Sequence, residues 1–410
     1  MMYLISEERL KEFADIMRRK TGETEERSLE EIKSKLEAVR TENDFLKFRE
    51  CKSLFEAIAN ELTTVPKLDT RNVTNMDRMF NTCASLTEIP KMDTSSVTSM
   101  ASMFASCRGL TTIPKLDTSY VTNMHSMFDG CSNLITVPQL DTSSVTNMSN
   151  MFSRCNKLTE VPELDTSSVT DMSNMFSECY TLSTVPQFNT SSVTNMMSMF
   201  NGCTYLETIS QLDTSSVTNM RYMFNGCTKL TTVPQLDTGS ATDMSGMFKG
   251  CTNLITVPQL NTSSVTDMTT MFMNCSNLTT INQLDARSVS SAYNMLNNCT
   301  NLQNCRIRNI KVNLTIGSGT TYGHLLTVDS LLYMIKELVN TGSSKTFTIG
   351  TANTAKLSST YVKLINITDE MRAEDDLIDS KLPFEVCEST EEGALAILTD
   401  YVALKNWSIK

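Results

Sequence analysis

The sequence predicts an α/β repeat solenoid, on three observations: a cysteine every 24 residues, a set of apolar columns locked to that period, and flanks that break it. Cys83, Cys107, Cys131, Cys155, Cys179, Cys203, Cys227, Cys251, Cys275 and Cys299 keep the spacing of 24 without exception. A fixed period of this length is the mark of a stacked array, in which one unit cannot bury its apolar face and neighbouring units bury it together.

One unit runs from Leu134 to Cys155 and shows what each column is expected to do. Leu134 and Val137 bracket a short extended stretch, which Pro138 weakens because it has no N–H to give a ladder. Asp141-Thr142-Ser143 turns the chain, the carboxylate bonding backbone N–H groups just ahead. Val145, Met148, Met151, Phe152 and Cys155 are spaced by threes and fours and predict one face of a short helix, with Thr146 as its N-cap. The array decays at its ends. Leu62-Thr63-Thr64-Val65-Pro66 opens a first unit with no cysteine in register, and the unit after Cys275 has Asn282, Ala292 and Leu296 where others have Pro, Met and Phe.

Three segments follow. Residues 1–60 carry 26 charged side chains, about twice the density of the chain, and read as a helical docking or capping segment. Its first helix starts at Ser6 and buries Leu10, Phe13, Ile16 and Met17; its second starts at Ser28, in a capping box with Glu31. Residues 61–305 hold the solenoid of about ten units. Residues 306–410 leave the period and read as an α/β cap module, with a helix from Thr327, a strand at Lys345–Gly350, a helical stretch near Ala394–Leu404 and a last strand at Asn406–Ile409.

Composition narrows the function classes. A net charge of −11 argues against a nucleic-acid partner, since phosphate binding needs clustered Lys and Arg. No run of about eighteen apolar residues is present, so no membrane insertion is expected. The start, Met1-Met2-Tyr3-Leu4-Ile5, lacks the pattern of a secretory signal. His125 and His324 are the two histidines, and neither sits in a nucleophile or phosphate motif, so no enzyme activity and no cofactor are expected. A cysteine spacing of 24 supplies no close Cys pair for zinc, and side chains pointing in parallel disfavour disulfides, which leaves a reduced core ladder. The column Asp69, Asp93, Asp117, Asp141, Asp165, Asn189, Asp213, Asp237, Asn261 and Asp285 contains asparagine twice, which favours turn capping over calcium. Binding therefore falls to the outside. Thr136, Glu160, Thr184, Thr208 and Thr232 form an outward strip, and Tyr120, Tyr180, Tyr205 and Tyr222, with Arg221, supply exposed aromatic surface suited to a sugar or a protein.

The pattern Phe-x-x-Cys-x-x-Leu-x-x-Val/Ile followed by Val-Thr-x-Met-x-x-Met-Phe, over roughly residues 62–302, resembles the BspA-like leucine-rich-repeat surface-protein family. That resemblance implies a leucine-rich-repeat-like stack with one short parallel strand per unit. It also implies a surface-exposed binding protein or adhesin, or a component of a phage tail. Leu10 to Gly22 is similar to a segment common in phage and prophage tail or minor structural proteins. Leu326–Leu331, Thr346–Gly350 and Lys405–Ile409 resemble the end module of such proteins. The combination predicts a virion structural protein that docks to other tail proteins through its termini and meets a host cell-surface glycan or protein. The alternative is a bacterial cell-surface adhesin of the same repeat family.

Overall fold

The computed structural model describes residues 62–65, 68 and 70–315, with Phe55 and Ala59 before them, then 326–339 and 344–348, and the backbone of 361–364, 384–387 and 407–409. The helices expected within 1–60, the one near Ala394–Leu404 and Asp69 lie outside the described residues. The chain divides into two compact units, 1–192 and 193–410.

In the first unit, the segment expected to be helical is a run of turns. The N–H groups of Met148, Asn150, Phe152 and Arg154 donate to the carbonyls of Asp171, Ser173, Met175 and Ser177 in the next repeat, at 2.7–3.1 Å. The intervening N–H groups of Met151, Ser153 and Cys155 turn back to Met148, Asn150 and Phe152 of their own repeat, each at 3.1 Å. Alternate donors thus stack the units and close the turns, and none is left for the i→i−4 bonds of a helix. Two positions per repeat also hold left-handed backbone, such as Asn150 (φ 57°) and Arg154 (φ 59°). A left-handed L-residue costs roughly 1–2 kcal/mol, so two in five residues exclude an α-helix. Thr146 is accordingly no N-cap. Its N–H donates to the Thr122 carbonyl at 3.0 Å, and Asn147 next to it bridges in parallel to Asn123 and Asp171.

The extended stretch is also weaker than a strand in the proline-bearing repeats. Ile135 N–H reaches the Thr111 carbonyl at 3.0 Å and Thr159 N–H reaches that of Ile135 at 3.2 Å, with no continuous ladder. Leu134, Val137 and Leu140 still point inward and are buried. Beside them runs a column of stacked phenylalanines. Phe55, Phe80, Phe104, Phe128, Phe152 and Phe176 follow one another with centroids 5.3–5.7 Å apart. Offset ring pairs at this separation add to the burial of each ring.

The second unit repeats the scheme, with Phe200, Phe224, Phe248 and Phe272 stacked at 5.6–5.7 Å. Here true strands appear at the end of the array. β1 (Thr280–Asp285) pairs in parallel with β2 (Asn304–Arg308), Ile281 opposite Cys305 and Leu284 opposite Ile307, with a bulge between. These consecutive repeats have Asn282 and Arg306 at the proline position, so both can supply ladder donors. β3 (Leu314–Thr315) then joins β4 (Lys345–Thr348) and β7 (Trp407–Ile409) in a parallel sheet. β5 (Tyr361–Leu364) and β6 (Phe384–Cys387) form an antiparallel pair.

Within the described residues the one α-helix is α1 (Val328–Lys336), started by Thr327, whose hydroxyl accepts from the Ser330 N–H at 3.3 Å. Leu331, Met334, Ile335 and Leu338 are buried. The helix is tied to the array by Cys305 N–H donating to Ser330 Oγ at 3.2 Å and by a parallel bridge from Ile310 to Leu338.

Candidate functional surface

The interior is occupied by groups that hold the stack. All ten columnar cysteines and Cys305 are buried thiols outside any disulfide. The Cys83 thiol reaches the Asn81 carbonyl of its own repeat at 4.0 Å, whereas each later thiol whose bond is resolved points at a carbonyl of the preceding repeat. Cys155 Sγ donates to Phe128 O at 3.2 Å and Cys131 Sγ to Phe104 O at 3.0 Å in the first unit. Cys251 Sγ donates to Phe224 O at 3.0 Å in the second. Burial pushes the thiols of Cys83, Cys131, Cys251 and Cys299 up to about 12. A thiol held protonated is neither a nucleophile nor a metal ligand at neutral pH. Among the described residues no group of three His, Cys, Asp or Glu side chains is placed to hold a metal ion.

The acidic column caps turns. Asp141 Oδ1 accepts from the Ser143 N–H at 3.1 Å and from its hydroxyl at 2.7 Å, and these bonds hold the carboxyl below its usual range. Asn189 and Asn261 make the same pair of contacts with Ser191 and Ser263. The threonine after this column turns inward, where the sequence reading saw only a turn. Thr142 and Thr166 are buried and donate to the carbonyls of Asp165 and Asn189 at 2.8 Å. Thr118 departs from the column, its hydroxyl having no partner.

The outside carries the exposed aromatic side chains. Tyr120 is 67% exposed and stands where Ser144 and Ser168 bond the preceding repeat. Tyr180 is 40% exposed, in the first unit, and Tyr205 is 58% exposed, in the second. Glu160, Thr184, Thr208 and Thr232 are exposed and Thr136 half-buried. Arg221 and Tyr222 are brought together, the guanidinium carbon 5.0 Å from the ring centroid. Tyr222 itself is not a free platform. Its backbone is left-handed (φ 54°), and its ring fills the space a β-carbon would take at Gly246 in the next repeat. It is a packing residue paired with a glycine, a correction to its reading as outward surface.

Three exposed apolar residues escape a reading focused on clustered tyrosines: Tyr293, Ile135 and Ile255. The signal for each is its column, where the residues one repeat away are polar: Thr269 for Tyr293, Thr111 and Thr159 for Ile135, Thr231 and Thr279 for Ile255. His125 is fixed between two hydroxyls, Nδ1 2.7 Å from Ser149 Oγ and Nε2 3.2 Å from Ser126 Oγ. No helix among the described residues is long and apolar enough to cross a membrane.

The family model DUF285, described as Mycoplasma protein of unknown function, matches residues 49–160, 110–207, 133–234 and 197–310, the same repeats that carry the BspA-like signature. Similar solved structures include a T. pallidum leucine-rich-repeat protein, 23% identical over 38% of this chain and 72% of that one (TM-score 0.31). They also include a leucine-rich-repeat protein of Bacteroides ovatus, 20% identical over 60% and 71% (TM-score 0.29). A leucine-rich cell surface protein of Faecalibacterium prausnitzii is 22% identical over 61% and 78% (TM-score 0.31). None of the curated proteins matches the chain.

Proposed function

The chain belongs to the DUF285 repeat family, and we propose that it is a non-enzymatic, adhesin-type surface protein whose repeats display a binding face for a cell-surface glycan or protein. One observation carries the reading: four side chains that leave the repeat pattern with large aromatic groups, Tyr120, Tyr180, Tyr205 and Tyr293, are exposed, while buried side chains such as Cys155 and Thr142 are engaged in stacking. Chemistry that a repeat spends on its own stacking is not available to a substrate. Large apolar groups left in water are what a partner would cover. The bacterial cell surface is the location this reading favours, ahead of the virion. The virion reading rests on the flanking segments, of which Leu10–Gly22 lies outside the described residues.

The test is antibody labelling of intact, unpermeabilised cells that make the chain, alongside particles purified from the same culture after phage induction. Labelling of the intact cells supports the adhesin-type reading. A chain found in purified particles and absent from the cell surface overturns it in favour of a tail protein.

A further inference from the structure

We propose that Asp129, Arg154, Glu178 and Tyr180 form a patch that binds neutral saccharides, an inference that rests on the surface-binding reading and names its ligand class. In a strict repeat the informative positions are those that leave the pattern without serving the stack. Positions 154 and 178 belong to a column with left-handed backbone, φ 59° and 60° here, where Gly130, Gly202, Gly226 and Gly250 occupy four other repeats and the short polar Thr82, Ser106, Asn274 and Asn298 the remaining four. Glycine takes this conformation freely, and a long charged side chain does not. Yet two consecutive repeats carry Arg and Glu.

What these residues do points outward. Arg154 Nε and Nη2 donate to the two carboxylate oxygens of Asp129, one repeat earlier, at 3.1 and 2.6 Å. The Arg154 side chain is 55% exposed. Glu178 Oε2, one repeat later, accepts from the Tyr180 hydroxyl at 3.2 Å. That bond tethers an exposed ring at a position that is Ser132 and Asn156 in the two preceding repeats. A half-exposed ion pair adds little to stability, less than a left-handed arginine costs. Stability therefore does not account for the arrangement, and strained residues held by their surroundings are where binding functions are found.

The chemistry selects the ligand. A pyranose has an apolar C–H face and a rim of hydroxyls. The Tyr180 ring matches the face, and the guanidinium and carboxylates of three successive repeats match the rim, donating and accepting from fixed positions. Side chains already fixed by one another lose little freedom on binding. The patch has one more carboxylate than guanidinium, which disfavours acidic sugars.

The test applies the labelled full chain to an array of neutral and sialylated saccharides. Binding to neutral saccharides is expected. Tyr180→Thr and Glu178→Gly, which install residues found at Thr204 and Gly130 of the same columns, should each weaken it by about tenfold, with a melting temperature no lower than the parent's. Arg108→Ser, which installs the residue at Ser132 of the same column as Tyr180, should leave it unchanged. The proposal is overturned if no neutral saccharide binds, if sialylated ones are preferred, or if Tyr180→Thr binds as well as the parent. Cell binding measured in parallel separates the two readings. Cells bound without any saccharide bound would sink the patch and leave the surface-binding reading standing, and neither bound would sink both.

Discussion

The Cys155 thiol donates to the carbonyl oxygen of Phe128, 27 residues earlier and 3.2 Å away, and that same oxygen accepts from the Cys131 N–H at 3.0 Å. One carbonyl thus closes a turn in its own repeat and receives the next. Because burial raises the thiols of Cys83, Cys131, Cys251 and Cys299 from 9.0 to about 12, the folded chain holds these protons more tightly than the unfolded one. Their contribution to stability is complete below pH 9 and is lost as pH rises toward 12. Melting temperature should be flat through neutral pH and fall above pH 9. In native buffer at neutral pH, the ten columnar cysteines and Cys305 should label slowly. Rapid labelling of the columnar cysteines would contradict a buried ladder.

Phe152 lies between Phe128 and Phe176, 5.6 Å from each. Phe152→Ala removes a ring from the middle of a column and leaves both faces unfilled. A loss of about 3–5 kcal/mol is expected in urea unfolding. An unfolding curve that matches the parent would mean the stack does not carry the stability assigned to it.

Asp285 is the last member of the acidic column and sits in a network of its own. Its carboxylate meets Arg287 at 2.6 Å, Arg308 at 3.0 Å and Asn309 at 2.9 Å. Burial raises its pKa, but the bonds from Arg287 and Asn309 and the charge of Arg308 outweigh that and bring it to about 2, from 3.8. The stabilisation, roughly 2 kcal/mol, is present above pH 3.8 and lost as pH falls toward 2. Asp285→Asn should therefore melt earlier than the parent at pH 6, and the gap should close in acid. A gap that persists at pH 2 would show that charge is not its source.

Gly246 and Tyr222 are a matched pair, the ring occupying the space of a missing β-carbon. Gly246→Ala has to meet both the ring and a left-handed backbone of φ 62°, at a cost of about 1–3 kcal/mol. Adding Tyr222→Ser, the residue at Ser198 and Ser126 of that column, should recover the steric share, so the double variant is more stable than the sum of the two changes. Strict additivity in urea titrations would mean the two do not interact.

The period, the buried columns and the helix at Thr327 were legible because each is set by side-chain type. The run of turns that stands in place of a helix within the repeat was not. Val145, Met148, Met151, Phe152 and Cys155 are spaced mostly by three, and a chain of three-residue turns places such residues inward as well as a helix does. What decides is where the N–H groups go, and that depends on the neighbouring repeat, to which Asn150 and Phe152 donate. The left-handed positions left a trace in Gly130, Gly202, Gly226 and Gly250, hidden by Arg154 and Glu178 in the same column. For the candidate surface, exposure of Tyr120, Tyr180 and Tyr205 followed from their polar columns, whereas the packing of Tyr222 depends on Gly246, a residue 24 positions away.

The central claim is that the interior serves only the stack and the exposed aromatic departures serve binding. Its most direct test is the triple variant Tyr120→Ser, Tyr180→Thr and Tyr205→Asn, each change installing a residue its own column already carries at Ser144, Thr204 and Asn253. Melting temperature and binding of the labelled full chain to cells are measured together. An unchanged melting temperature with binding reduced by about tenfold or more is the predicted result. Unchanged binding by a variant that melts like the parent would contradict the account.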